Sequence, residues 1–176
     1  MKKIILVGPS ASGKDYLLRY LRDKGLKYSP KYTTRPKRVN EQEGVEYFFI
    51  DNNKFYELNS EDFFITHQSF NIKGETWVYA ISRENFNSNQ LFIMTPYELS
   101  TLSDEYRDNS VIVYLDIDVE TRRRRISNRE DRNDEIQRRI DADEVDFKDF
   151  CKYDVHITNP LFDFESIYES LLFEVE

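Results

Sequence analysis

The chain has 176 residues, of which 39% are hydrophobic and 33% charged, and its formal net charge at pH 7 is −8. This length suits one domain, and 13 Phe and 12 Tyr give it enough core material to argue against disorder. No apolar run approaches the roughly 18 residues of a membrane span or the length of a secretory signal. Because Cys151 has no partner cysteine in the sequence, we expect a cytoplasmic protein with Cys151 packed in its interior.

The charge is unevenly distributed along the chain. Residues 27–38 include five basic residues and no acid, and residues 122–139 include eight arginines against four acids. The strongly acidic remainder argues against nucleic acid as the main partner, and we expect no membrane partner either. Two basic islands on an acidic body indicate a small, highly charged anion as ligand, although solvated helix surface is an alternative for the second island.

Apolar runs alternate with helical patterns along the chain. Residues 4–7 predict a buried strand, residues 8–13 a turn, and the following segment a helix that ends near Gly25. Residues 27–40 are predicted to be irregular. Further strands are predicted at 47–50, 63–66, 77–81, 91–94, 111–115 and 155–158. Further helices are predicted at 52–58 and 96–107, from Asp118 as N-cap, from Asp134 toward Phe150, and at 164–173.

This alternation predicts an α/β fold, a three-layer sandwich whose mostly parallel sheet is covered by helices on both faces. Residues 31–80 are rich in aromatic side chains and carry few helix signals, with a turn expected at 73–74. We therefore predict a core made of residues 1–30 and 81–176, and a small antiparallel insert at 31–80.

The strongest motif lies between the first strand and the first helix. Residues 8–14, Gly-Pro-Ser-Ala-Ser-Gly-Lys, match the phosphate-binding pattern G-x-x-x-x-G-K in the structural context that this pattern requires. Backbone N–H groups of such a loop surround phosphate oxygens, and Lys14 would supply a positive charge to the β- and γ-phosphates. An ordinary glycine-rich turn is the alternative. The predicted nucleotide-binding residues are Gly8, Pro9, Ser10, Ala11, Ser12, Gly13, Lys14 and Asp15.

Asp15 stands where this motif normally has Ser or Thr. A carboxylate is a good hard ligand for Mg²⁺, so one hypothesis makes Asp15 the protein's ligand to the metal that accompanies ATP. The other hypothesis makes it the cap of the helix N-terminus. Both remain open at this point.

A second anion site is predicted downstream. Arg35 and Arg38 are three residues apart in a loop that contains Pro36. Two guanidinium groups at this spacing can hold a monophosphate, and a phenol such as that of Tyr47 can donate a further bond. Near a phosphate-binding loop, this site would bring a donor phosphate and an acceptor phosphate face to face.

With these motifs the sequence resembles the guanylate kinase family over nearly its whole length. The shared residues are Gly8-Pro9-Ser10 with Gly13-Lys14, Thr33-Thr34-Arg35-Pro36 with Arg38, and Glu41, Gly44, Tyr47 and Phe49. The arginines after residue 120 and the segment from Tyr153-Asp154 to Asn159 also fit. The resemblance implies a P-loop NTPase core, a nucleoside-monophosphate-binding insert, and an arginine-rich lid near 120–140. It implies transfer of the γ-phosphoryl group of ATP to GMP or dGMP, with Mg²⁺.

The resemblance also implies residue roles. Arg35, Arg38, Tyr47 and Tyr79 would hold the acceptor phosphate, and Asn159 would lie near adenine. Catalysis would involve Lys14, Arg125, Arg129 and Arg139; the geometry of a helix allows only one or two of the four consecutive arginines at 122–125 to face one site. Thr66 and Thr95 stand where the family has the acids that read guanine, so we include both as substrate-binding candidates and leave the base open.

Three alternatives remain. Ribose 1,5-bisphosphate phosphokinase, a relative in the same superfamily, shares Gly13-Lys14-Asp15 and Thr34-Arg35-Pro36. A kinase for another nucleoside or deoxynucleoside monophosphate also fits. The third is a catalytically inactive guanylate-kinase-like binding module, against which Lys14 argues. A monomer or a homodimer is expected.

Overall fold

The computed structural model describes residues 2–72, 74–127 and 133–175. The strands are β1 Lys3–Val7, β2 Lys31–Thr33, β3 Tyr47–Phe49, β4 Phe64–Ile72, β5 Glu75–Ser82, β6 Leu91–Ile93, β7 Ser110–Leu115 and β8 Val155–Ile157. The helices are α1 Lys14–Asp23, α2 Asn52–Ser60, α3 Arg83–Ser88, α4 Pro96–Thr101, α5 Asp104–Asp108, α6 Val119–Ser127, α7 Asn133–Phe147 and α8 Phe164–Val175.

The core is a parallel sheet in the order β6-β1-β7-β8. Because successive side chains of a strand point to opposite faces, Ile4 and Leu6 of β1 pack with α1 and α8, whereas Ile5 and Val7 pack into a second cluster on the other face. Two buried faces confirm the predicted α/β fold. The loop after β1 lies at the carboxyl end of a central strand, where ligands bind in open sheets of this kind.

A second sheet, in the order β3-β2-β5-β4, is built between Lys31 and Ser82. Strand β5 is antiparallel to both β2 and β4, but β2 and β3 are parallel. The sequence predicted a small antiparallel insert, and two of the three strand pairs are antiparallel. The β2–β3 pair differs from this prediction, because the connection between these strands returns the chain to the end at which β2 began. This sheet buries its own apolar cluster, centred on Phe55, Phe64, Val78 and Ala80.

Several local predictions differ from the structure. The single helix predicted at 96–107 is divided into α4 and α5, because Leu102 adopts an extended conformation and ends α4. Strand β2 lies in the stretch predicted to be irregular, and helix α3 was not predicted. Asp118 accepts a hydrogen bond from the Thr121 N–H at 2.8 Å, as expected at the start of α6.

Three further expectations concern exposure, a turn and membrane association. Cys151 is exposed, because it lies in the connection between α7 and β8 and not inside the core as expected.

Gly74 has a φ of 86°, which fits the predicted turn, while Lys73 lies outside the described residues. In the described part of the chain, no helix combines the length and the apolar character that a membrane span requires.

Candidate active site

The loop after β1 depends on two glycines. Gly13 has a φ of 111° and precedes the first residue of α1, a conformation that other L residues rarely adopt. A Cβ atom at Gly8 would lie 2.7 Å from the carbonyl oxygen of Leu115. The loop therefore lies close against the neighbouring strand β7, and its backbone begins a helix whose first N–H groups have no intrahelical partner.

Lys14 lies over this loop. Its Nζ donates to the carbonyl oxygens of Gly8 at 2.6 Å and Pro9 at 2.9 Å. Burial lowers the pKa of Lys14 to about 8, although the negative charges of Asp15 and Asp143 oppose this shift. An ammonium group has three protons, so one remains for an incoming phosphate oxygen after these two bonds.

Arg125 of helix α6 contacts the same loop. Its Nη1 donates to the carbonyl oxygens of Ala11 at 3.0 Å and Ser12 at 3.1 Å, and its Nη2 donates to Pro160 at 2.8 Å. In this arrangement Arg125 joins α6, the phosphate-binding loop and the segment after β8. Its predicted role over a transferring phosphoryl group stays a prediction.

Asp143 of helix α7 is a loop contact that sequence reasoning missed. Its carboxylate accepts from the Ser10 N–H at 2.9 Å and from the Ser10 hydroxyl at 3.3 Å. The buried guanidinium of Arg122 lies 3.1 Å from the same carboxylate and also donates to Ile117. One acid in an acid-rich helix carries no local signal of such a contact, because the partners are 133 and 21 residues away.

Arg139, Arg129 and Asn159 are the other residues predicted for the nucleotide side. Arg139 is half-buried on α7, and Arg129 lies outside the described residues. Asn159 is exposed and its Oδ1 accepts from the Leu161 N–H at 2.9 Å, next to Pro160. A cavity of about 380 Å³ opens here, lined by Ala11, Gly13, Tyr16, Arg125, Pro160, Phe162 and Phe164.

A second cavity, of about 670 Å³, lies between the core and the second sheet. Its polar and charged lining includes Asp15, Arg19, Arg22, Tyr28, Lys31, Glu46, Tyr47, Tyr79, Thr95 and Glu98. Three of the predicted acceptor-binding residues, Tyr47, Tyr79 and Thr95, therefore line the same cavity. Burial raises the pKa of Tyr47 to about 12, so its phenol stays a hydrogen-bond donor at neutral pH.

Arg35 lies directly behind this wall. Its buried guanidinium is 2.6 Å from Glu41 and 5.3 Å from the ring centroid of Tyr47, and it donates to the carbonyl oxygen of Pro36 at 2.9 Å. Burial alone would lower the pKa of Arg35, but the hydrogen bond to Glu41 and the nearby Tyr79 raise it. The same bond lowers the pKa of Glu41. Arg35 is thus held in an ion pair with Glu41, next to Tyr47 of the cavity wall.

Arg38 and Thr66 are placed differently from the other acceptor candidates. Arg38 is exposed, and its backbone N–H donates to Glu41 at 2.8 Å. Thr66 is buried, and its hydroxyl bonds with the Glu98 carbonyl oxygen at 3.1 Å and the Thr101 hydroxyl at 2.7 Å. Thr66 therefore links β4 to helix α4. It does not line the second cavity, which is the candidate acceptor cavity.

Asp15 is exposed in the first turn of α1 and lines the larger cavity. The capping hypothesis is wrong: the N-cap residue is Gly13, and Asp15 lies two residues inside the helix. Among the described residues, no group of three or more His, Cys, Asp or Glu side chains could hold a metal ion by itself. One carboxylate beside a phosphate-binding loop fits Mg²⁺ that is bound together with nucleotide phosphates.

A glycine-rich loop between a parallel strand and a helix, a lysine at the helix start and a cavity on either side define the class of P-loop phosphotransferases. A family model described as guanylate kinase matches residues 1–173. The chain belongs to the guanylate kinase family, whose members are ATP-dependent nucleoside monophosphate kinases.

Individual relatives agree with this assignment. Guanylate kinase of Mycoplasma genitalium is 27% identical over 166 residues, which cover 90% of this chain and 69% of the relative. Guanylate kinase of Legionella pneumophila (strain Paris) is 29% identical over 166 residues, covering 92% and 78%. The crystal structure of guanylate kinase from Anaplasma phagocytophilum has the same fold, with a TM-score of 0.66 and 19% identity over 99% of this chain and 84% of that one.

Proposed function

We propose that this chain transfers the γ-phosphoryl group of Mg²⁺-bound ATP to the phosphate of a nucleoside monophosphate, with GMP and dGMP as the first candidates. One observation carries the proposal: the two cavities flank the same helix start. Ala11 and Gly13 line one of them, and Asp15 lines the other. Phosphoryl transfer needs the donor and acceptor phosphates in line at such a point.

The nucleotide side offers a fit for triphosphate. Gly8 and Gly13 keep side chains out of the loop, and the positive end of α1 favours negative charge. The Ser12 hydroxyl is buried and has no partner among the described residues, so a phosphate oxygen would give it one. Ala11, Pro160 and Phe162 offer an apolar surface for the adenine ring.

The acceptor side offers a fit for a monophosphate that carries a base. Arg35, which is paired with Glu41 behind the wall, would supply charge for the phosphate, and one phenol from β3 and one from β5 on the cavity wall would donate to it. Tyr28, Phe70 and Tyr79 add aromatic wall to a volume suited to a whole nucleotide. This aromatic lining favours a nucleotide over a ribose bisphosphate, which has no aromatic base to stack.

Catalysis by these residues consists of positioning and charge. Lys14 would bind the β- and γ-phosphate oxygens and stabilise the negative charge that develops as the bond to the leaving phosphate breaks. Mg²⁺, when bound through Asp15 and the nucleotide, supplies further positive charge to the phosphate oxygens. Arg125, Arg129 and Arg139 would contribute from the lid, and Asn159 would lie near adenine. Arg38 and Thr95 complete the proposed acceptor set, and Thr66, whose hydroxyl is bonded to Glu98 and Thr101, is left out of it.

We also propose that the sheet at 31–80 is a unit that moves on the core made of residues 1–30 and 81–176, with a lid near 120–140. The separate apolar cluster of the second sheet supports such a unit. Closure would exclude water from the transferring group. A cytoplasmic location and a monomeric or dimeric state stay predictions.

A coupled assay of ADP release tests the proposal. Purified protein with Mg²⁺ and ATP is given GMP, dGMP, the other nucleoside monophosphates and ribose 1,5-bisphosphate in turn. We expect release with GMP or dGMP and little with ribose 1,5-bisphosphate. Release with ribose 1,5-bisphosphate alone would replace the proposal with the sugar-phosphate kinase, and no release with any acceptor would favour the binding module.

A further inference from the structure

At the Thr95 end of the acceptor cavity, the side chain of Gln68 is hydrogen-bonded to a residue of the cavity wall. We propose that Gln68 is a specificity-determining residue whose side-chain amide donates to the 6-oxo group of a purine, and that the 2-amino group is not read. Inosine monophosphate would then be an acceptor as good as GMP. This inference rests on the proposed kinase function and adds the acceptor class, the 6-oxopurine monophosphates.

Hydrogen bonding to Thr95 sets the orientation of the Gln68 amide. The Thr95 hydroxyl oxygen accepts from the Glu98 N–H at 3.1 Å, because Thr95 caps helix α4. Its proton is donated to Gln68 Oε1, which lies 2.6 Å away. The Gln68 oxygen is consequently the atom that faces Thr95, and the Gln68 NH₂ group offers two donors that have no protein partner among the described residues.

Gln68 is on the strand face that borders the cavity. Alternate residues of a strand share a face, so Gln68 points to the same side of β4 as Phe70 and Ile72, which both line the cavity. Thr95, its hydrogen-bond partner, lines the cavity as well. The amide donors thus lie at the boundary between the second sheet and the core, beside the cavity.

The carboxylate at this end already has partners. Glu98 is fully buried, and Lys31 lies 2.6 Å from each of its two oxygens. Its Oε2 also accepts from the Thr95 N–H at 2.8 Å. The other carboxylates of the cavity, Asp15 and Glu46, belong to the start of α1 and to the loop before β3.

This end of the cavity therefore presents donors. A 6-oxo group is an acceptor and matches them, whereas the 6-amino group of adenine would place donor against donor and leave buried groups unpaired. We expect little gain from a 2-amino group, because Lys31 and the Thr95 N–H already occupy three of the roughly four lone-pair positions of the Glu98 carboxylate. GMP and inosine monophosphate should consequently be equivalent, and AMP should be rejected.

The test compares kcat/KM for GMP, inosine monophosphate and AMP in the unaltered protein and in Gln68→Glu. This variant is isosteric: one oxygen still accepts from Thr95, and the other becomes an acceptor in place of the NH₂ donors. Asn71→Asp is the matched control, because Asn71 is exposed on the opposite face of the same strand. Thermal melting of each variant is measured alongside.

We expect GMP and inosine monophosphate to agree within about threefold in the unaltered protein. Gln68→Glu should lower kcat/KM for both by about tenfold or more through KM and should narrow their advantage over AMP, with Asn71→Asp unchanged. Thr95→Ser should keep the discrimination and Thr95→Val should weaken it, since only Ser retains the orienting hydroxyl.

A preference for GMP over inosine monophosphate of about a hundredfold would overturn the inference, because such a preference requires a side chain that accepts a hydrogen bond from the 2-amino group. An unaltered ratio to AMP in a folded Gln68→Glu variant would also overturn it. Absence of turnover with every nucleoside monophosphate would instead contradict the proposed function, so the two failures are distinguishable.

Discussion

The phosphate-binding loop and the acceptor cavity are built in opposite ways. The loop, residues 8–13, is one continuous segment whose backbone N–H groups would bind phosphate, and its contacts with Arg125 and Asp143 brace it. The cavity is assembled from side chains of α1, α4 and strands β2 to β6, and of the segments between them. The proposed phosphate binding is thus local, whereas the proposed acceptor selection depends on packing between two sheets, and substitutions should separate the two.

The largest separation is expected from Lys14→Ala. Loss of the ammonium removes charge stabilisation from the transferring group, and kcat should fall by at least about 10²–10³-fold. Melting temperature should change little in comparison, and binding of the monophosphate alone should persist. Lys148→Ala, at an exposed lysine, is the control and should keep full activity. Retention of more than about a tenth of the turnover would contradict the role of Lys14.

Arg35→Ala probes the other side of the comparison. Removal of a buried, fixed positive charge should raise the KM for the acceptor about tenfold to hundredfold, with a much smaller effect on the KM for ATP. Lys37→Ala in the same loop, where the side chain is exposed, provides the control. Steady-state kinetics with each substrate varied in turn measure both constants. Equal increases in the two KM values would show that Arg35 does not belong to the acceptor side alone.

The pH dependence of kcat/KM for ATP should separate the two sites by a smaller effect than these substitutions. Because burial holds the pKa of Lys14 at about 8, the ammonium of the free protein loses its proton above that pH. The value of kcat/KM for ATP should therefore be flat below pH 8 and fall by about tenfold per pH unit above it. Lys14→Arg keeps its charge, so the residual activity of that variant should lack this decline. A flat profile to pH 10 in the unaltered protein would contradict the account.

Asp15→Asn should have the smallest effect. The substitution removes the negative charge of a hard oxygen ligand and should raise the Mg²⁺ concentration for half-maximal activity several-fold at saturating ATP. Asp23→Asn, at the last residue of α1, is the matched control. Identical Mg²⁺ curves for Asp15→Asn and the unaltered protein would remove Asp15 from the metal site.

The same contrast explains what could be predicted from the sequence. The strand, the glycine-rich loop and Lys14 are adjacent in the chain, so their spacing alone predicts their arrangement. Strand β2 was hidden because its partners β3 and β5 lie 16 and about 48 residues further along, and its own segment contains prolines and basic residues.

The acceptor cavity could be predicted only in part. Tyr47, Tyr79 and Thr95 line it as expected, but Thr66 is turned into a contact with helix α4. Gln68 and Asp143 gave no signal, since an isolated glutamine or aspartate is ordinary on a strand or a helix. Their roles depend on partners at least 21 residues distant, which only the packed structure brings together.

Binding of a bisubstrate compound, in which five phosphates join adenosine to guanosine, tests most directly whether the two phosphate sites face each other. By titration calorimetry we expect one molecule to bind per chain, at least about a hundredfold tighter than ATP or GMP alone, since the second site is engaged within the same molecule. Both Lys14→Ala and Arg35→Ala should abolish this gain. An affinity no better than that of ATP, or a gain insensitive to Arg35→Ala, would contradict the account.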